Sequence, residues 1–168
     1  MLTATATAPV ARADWTGYWF RGVQVVVGLV FLVAGIGKAA DPRGLEEVLK
    51  FDGIQGSMLS LATSVIVMGE IALGQAMILG WGRRWLMLVA GAVILLYTLQ
   101  LTYLLVSKGA PNCNCLRLIQ AYQNARAAHA SGLIRNAILF IGIASALYVT
   151  QRRRDENSHI TRGPQLLA

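Results

Sequence analysis

Cys113 and Cys115 are the only two cysteines of the chain, and a single residue, Asn114, separates them. A disulfide between them would close a small, strained ring, and strain makes such a bond more oxidising and easier to exchange. It would staple almost no chain, so loop entropy gives little reason for a purely structural bridge. The chemistry that suits this pair is dithiol–disulfide exchange, passing electrons or oxidising equivalents to another protein. Two plainer readings stand beside it: ordinary small buried side chains, or a clip that only shapes its own loop. Metal binding has little support, because the CxC has no further ligand near it except His129.

Glu70 is the sole formal charge between Gly53 and Gly82. A carboxylate in the middle of an apolar run is costly unless it faces protein and finds a partner. It is either a proton-handling or quinone-adjacent group, or the anion of a structural pair with Lys38, Arg135 or Gln75. One isolated acid does not make a relay, which favours the pair. Arg135-Asn136 opens the last apolar run, just after the cysteines. Arg135 either favours the thiolate of a nearby cysteine or anchors the run at the headgroup boundary. Gln100 reads as glue between helices. His129 and His159 both sit on polar stretches, which argues against a two-histidine haem site. No P-loop, dinucleotide fingerprint or serine triad is present.

The elements that must position these groups read as membrane helices. Hydrophobic residues make up 55% of the 168 residues and charged ones 14%, against roughly 25% charged in soluble domains. Four apolar runs, at about 20–37, 58–81, 85–106 and 133–150, approach the roughly 20 residues a helix needs to cross hydrocarbon. Trp15, Tyr18 and Trp19 mark a membrane interface, and Arg21 can snorkel to it. Gly28, Ala34, Gly35 and Gly37 offer small surfaces to a neighbouring helix. Lys38 closes the first run. Asp41-Pro42 then suits a helix start, and 42–51 reads as a short amphipathic surface helix with Leu45, Val48, Leu49 and Phe51 on its apolar side. Gly82-Arg83-Arg84 permits only a tight turn. Residues 1–14 read as a tail, 107–131 as the polar cysteine loop and 152–168 as a basic, polar tail.

The expected fold is therefore an all-α membrane protein, an antiparallel bundle of four transmembrane helices with short surface helices in the outer loops. The net charge of +7 comes from residues at the ends of apolar runs, as topology signals and lipid headgroups require, rather than from a nucleic-acid-binding face. Eight basic residues fall on the side of the termini and seven on the other, so the raw count decides nothing. The tight Arg83-Arg84 turn and the Arg152-Arg153-Arg154 run, both directly at span ends, place the termini in the cytoplasm and the cysteine loop in the periplasm. The N-terminal MLTATATAPVARADW lacks the pattern of a cleaved signal peptide.

The order of these features resembles a known group. Four spans, Lys38 with Asp41-Pro42 after the first, Glu70 in the second, a CxC before the fourth and then Arg135-Asn136 resemble the methylamine-utilisation accessory membrane proteins, the MauE branch of the DoxX-like redox-associated family. The likeness covers about residues 18–150, and its specific part is those few positions in that order. It implies a four-helix membrane bundle of the bacterial inner membrane that assists disulfide formation or electron transfer for a periplasmic maturation partner. Carried over by position, Cys113 and Cys115 are the redox pair, and Glu70 and Arg135 are supporting polar positions. The family's CxC is commonly followed by Phe-Gly. Here Leu116-Arg117 follows, and LRLIQAYQNARAAHAS has helical composition, with Leu116, Ile119 and Tyr122 as an apolar docking stripe.

The leading expectation is a redox-associated accessory protein. One thiolate attacks a partner's disulfide, the other cysteine resolves the mixed disulfide, and a second membrane protein or a quinone resets the pair. The rival is a non-catalytic subunit that anchors or stabilises a larger membrane complex, consistent with the many small residues and the absence of a second cysteine pair. A transporter fits less well, since the spans lack broken helices and paired polar sites.

Overall fold

The apolar runs fold as helices, several of them longer than the hydrocarbon requires. The computed structural model describes residues 15–81, 83–107 and 125–162. The two cysteines, and the docking stripe expected at Leu116, Ile119 and Tyr122, lie outside the described residues. The helices are α1 (Trp15–Ala40), α2 (Arg43–Phe51), α3 (Ser57–Leu79), α4 (Arg83–Val106) and α5 (Ala125–Arg162). Four of them are long and apolar enough to cross a membrane, over Trp15–Ala40, Ser57–Leu79, Arg84–Val106 and His129–Arg152. The chain is an integral membrane protein with an all-α, four-helix architecture.

α5 exceeds the apolar run 133–150 at both ends. Its first turns are alanine-rich, a composition that favours helix without any apolar face. At the other end, the first Gly-Pro after the span is Gly163-Pro164, so nothing in Arg152–Arg162 stops a helix that has already begun.

Cross-helix contacts fix an antiparallel order. Along α1 and α3, Arg21 meets Met77 and Ile78, Gly28 meets Gly74, and Gly35 meets Ile71. Along α4 and α5, Arg84 Nη2 donates to Gln151 Oε1 at 3.3 Å and Leu101 lies against Gly132. α1 also packs on α5, with Val23 beside Gly142. Phe20, Val27 and Phe31 of α1, Met77 of α3, Met87, Ala90 and Ile94 of α4, and Ile143 and Ala146 of α5 form one buried core. Val26, Leu29, Leu61, Val65, Leu95 and Ile138 point outward and are exposed. Helices apolar on every face suit lipid outside and protein inside.

The closest approach is between α1 and α3. A Cβ at Gly74 would lie 2.7 Å from Leu32 N and 2.8 Å from Gly28 O, both backbone atoms. Small residues at this crossing let the two backbones touch, which in lipid supplies the packing that water would otherwise drive. A Cβ at Gly37, also expected at a helix contact, would meet nothing within 4 Å.

Arg21 does not simply reach for headgroups. Its guanidinium donates to Ile78 O at 2.6 Å, in the last turn of α3, and at 3.4 Å to Met77 O, which also accepts from the Gly80 N–H. The turn itself closes through Gly80, whose φ of 82° needs a residue without a Cβ. A cation at a helix C-terminus also complements the helix dipole.

Gln24 is fully buried, and neither atom of its amide has a hydrogen-bond partner. Gln24→Leu therefore raises the thermal midpoint of the detergent-solubilised protein, by the equivalent of about 1–3 kcal/mol. Gly74→Ala lowers it by a similar amount, about 1–3 kcal/mol, because backbone cannot yield to the new methyl. Gly37→Ala leaves it unchanged or slightly raised, the opposite of what general intolerance of substitution in α1 would give.

Candidate functional site

α2 marks one end of the bundle. The C-terminal ends of α1 and α4 and the N-terminal ends of α3 and α5 meet there. A buried polar cluster lies just inside this end, built from four helices that are far apart in sequence.

Its centre is Glu70. The side chain of Gly35 is absent where α1 crosses α3, and a Cβ there would stand 2.8 Å from Ile71 Cγ1 and 3.2 Å from Glu70 Cβ. Glu70 thus lies directly against α1, and Lys38 follows one turn after Gly35 on the same helix. Lys38 Nζ donates to Glu70 Oε1 in a close ion pair, with both residues buried. The Tyr97 hydroxyl of α4 donates to the same oxygen. Lys38 Nζ also sits 4.9 Å from the centroid of the Tyr97 ring, within range of a cation–π attraction. Ion pair, hydroxyl and ring together hold two charges where lipid alone could not.

Arg135 and Asn136, on α5, complete the group. Arg135 Nη2 donates to Asn136 Oδ1 at 3.5 Å, and Asn136 Nδ2 donates to Thr98 Oγ1 on α4 at 3.3 Å. Thr98 in turn donates to Ile94 O at 2.7 Å, so the chain of bonds ends on the α4 backbone. Two polar atoms stay unmatched: Arg135 Nε and Glu70 Oε2 are buried without a hydrogen-bond partner.

These residues line a cavity of about 80 Å³, several times the roughly 10–15 Å³ that a single water needs. Its walls are mostly apolar, with Val30, Phe31 and Ala34 from α1, Ile94 and Leu101 from α4, and Leu139 from α5. Lys38, Glu70, Tyr97, Gln100, Arg135 and Asn136 supply its polar part. Leu45 and Val48 of α2 close one side. α2 is therefore more than a surface helix. Val48 and Leu49 are buried, the Phe51 and Tyr103 rings lie 6.2 Å apart, and Gln100 Nε2 donates to Asp52 Oδ2 at 2.8 Å just past its end.

The structure brings together Lys38, Glu70, Arg135 and Asn136, four of the residues singled out in the sequence. Asp41 instead sits at the start of α2, where its Oδ1 accepts a long bond of 3.4 Å from the Arg43 N–H. Gln75, a considered partner for Glu70, is exposed. His129, expected on a polar stretch, is within α5 and buried. The sequence reading missed Tyr97. Its signal is position: a tyrosine in the middle of an apolar span, away from the interface where such rings usually sit, needs a partner for its hydroxyl.

The sequence profile of a family described as Methylamine utilisation protein MauE matches residues 14–149, well over half of the chain. No curated protein and no solved structure gives a match.

Removing one partner of the buried pair leaves the other charge stranded. Lys38→Ala destabilises the protein by about 3–5 kcal/mol, read as a large drop in melting temperature and in folded yield. The double change Lys38→Met with Glu70→Leu, which removes both charges and keeps volume, recovers most of that loss. Equal damage from the double and the single change would mean that the ion pair is not what Lys38 contributes.

Proposed function

The chain belongs to the MauE family, and from that premise we propose that it is a redox-associated accessory protein whose Cys113/Cys115 pair exchanges with a periplasmic partner. The family description makes it a membrane accessory protein of methylamine utilisation; the thiol chemistry is our reading. The observation that carries it is the buried polar cluster at the α2 end. Ionisable groups inside a membrane are costly and mark working sites far more often than scaffolding. In sequence the CxC lies between the end of α4, at Val106, and the start of α5, at Ala125, both of which are at that end. In this reading Cys113 and Cys115 are the exchanging pair, and Lys38, Glu70, Arg135 and Asn136 support it from below. Asp41 holds the start of α2.

The reading also sets the topology. The α2 end faces the periplasm and the Arg83-Arg84 turn faces the cytoplasm of an inner membrane, because basic residues directly at span ends are retained inside. An oxidising compartment then surrounds the cysteines.

A strained two-cysteine ring is suited to giving up its oxidising equivalent, which reverses the direction expected from the sequence, where a thiolate of the pair attacks a partner's disulfide. A thiolate of the partner attacks one sulfur of the Cys113–Cys115 disulfide, forming a mixed disulfide and releasing the other cysteine as a thiolate. A second partner thiolate attacks the mixed disulfide, which forms the partner's S–S bond and leaves Cys113 and Cys115 as a dithiol. Two electrons have passed from the partner to the pair. A second membrane protein or a quinone must then accept them.

Cys113→Ser with Cys115→Ser tests this in cells. The expected outcome is a partner that accumulates free thiols and fails to mature, while the level of this chain in the membrane is unchanged. A partner with its full complement of disulfides would contradict the exchange role and support the rival, a subunit that only anchors or stabilises a larger complex.

A further inference from the structure

The polar group below α2 carries one positive charge in excess. Lys38 and Arg135 are its cations and Glu70 its carboxylate, and Glu70 is taken by Lys38. Arg135 has no ion pair of its own among the described residues. The chain between α4 and α5 cannot supply one, since residues 107–124 contain no Asp or Glu. Asn136 accepts from Arg135 Nη2 at 3.5 Å. Nη1 has no partner among the described residues and, unlike Nε, keeps accessible surface. Water can match a hydrogen bond there, but it leaves the charge uncompensated in a low-dielectric setting.

Arg135 also stands at the head of an apolar lane. Residues three or four apart share a helix face. Arg135, Leu139 and Gly142 therefore form one stripe of α5, and Val30, Val27 and Val23 one stripe of α1. At one end the two stripes line the cavity below α2. Past Leu139, which borders both spaces, they line a groove of about 420 Å³ between α1 and α5 that reaches Tyr18 and Trp19 at the opposite end of the bundle. Gly22 and Gly142 keep its walls low.

We infer that this groove binds a single-chain amphiphile with a carboxylate head, a long-chain fatty acid, whose head pairs with Arg135 Nη1 and whose chain lies between α1 and α5. A guanidinium is the side chain best suited to a carboxylate. The bound anion brings the polar group to two cations and two anions. An ammonium head would stand against Lys38 and Arg135, and an alcohol would leave the excess charge in place. Depth separates a fatty acid from a phospholipid. Arg135 lies six residues inside the span that begins at His129, about 9 Å along the helix. A slender carboxylate reaches that level, whereas a phosphodiester would carry its glycerol and second chain away from the headgroup layer with it. Nothing in this binding requires Cys113 or Cys115.

The test titrates tritiated palmitate into the full-length chain in phosphatidylcholine nanodiscs, corrected for partition into empty discs. The expected result is saturable binding of one palmitate per chain. Arg135→Gln weakens it about tenfold or more, as loss of a charged hydrogen bond does, and Arg135→Lys, which keeps the charge, recovers part of the loss. Gly22→Leu with Gly142→Leu fills the groove from both walls and leaves every charge in place. A Cβ at Gly22 would meet nothing within 4 Å and one at Gly142 only Val23 Cγ1 at 3.7 Å, so the fold accepts both, and binding again falls about tenfold or more. Hexadecanol and hexadecyltrimethylammonium, with the same chain length, do not displace palmitate. Displacement by either at equal concentration would overturn the assignment. So would palmitate uptake that does not saturate, or undiminished binding by Arg135→Gln or by the double glycine variant. Displacement by phosphatidylglycerol added to the discs would overturn it in favour of a phospholipid head. The Cys113→Ser, Cys115→Ser protein binds palmitate as the wild type does, so a failure of thiol exchange in cells and a failure of palmitate binding are separate results.

Discussion

The close pair between Lys38 and Glu70 is the interaction on which the rest of the arrangement depends. Two ionised groups within a membrane span are tolerated only if each is the other's solvent. That condition fixes more than two side chains. Glu70 reaches α1 because Gly35 offers no Cβ at the crossing, and the crossing is tight because Gly28 and Gly74 let backbone touch backbone. α4 must then present Tyr97 to the same carboxylate oxygen. One ion pair thus sets the relation of three of the four spanning helices, and α5 joins through Asn136 and Thr98.

A structural pair alone would be better made from apolar residues of similar volume, which avoid the desolvation cost. The group here does the reverse. It adds a second cation at Arg135, leaves a carboxylate oxygen and a guanidinium nitrogen unmatched, and keeps a cavity beside them. Unmatched polar atoms and empty space both reduce stability. Their coincidence under α2, at the end of the bundle where α4 stops and α5 begins, is the pattern expected of a site that holds something and works on it. The opposite end is managed differently. There Arg21 bonds the Ile78 carbonyl at the end of α3 and Gly80 ends the helix cleanly, so charge is used to finish structure rather than to hold it open.

Much of this could be read from the sequence, and the reasons differ by residue. Glu70 stood out because a lone carboxylate in an apolar run must be paired, and Lys38 was among the few cations within reach. The four spans were visible because hydrocarbon demands uninterrupted apolar length. Tyr97 was not legible, since its aromatic ring suits an apolar run and only its hydroxyl asks for a partner. α2 was legible as an amphipathic helix but not as the wall of a cavity, because its period shows which side is apolar and not what that side covers. α5 runs beyond the apolar run because hydropathy ends where the membrane ends, whereas a helix ends at a breaker. Cys113 and Cys115 were conspicuous as a motif, and they lie outside the described residues.

The most direct measurement is the thiol state of Cys113 and Cys115 in native membranes, read by gel-shift alkylation with and without prior reduction. A working pair is present as a mixture of disulfide and dithiol, and the mixture shifts toward dithiol when the oxidant that resets it is withheld. Thiols that remain reduced and unreactive, or a disulfide that never turns over under any growth condition, would contradict the account.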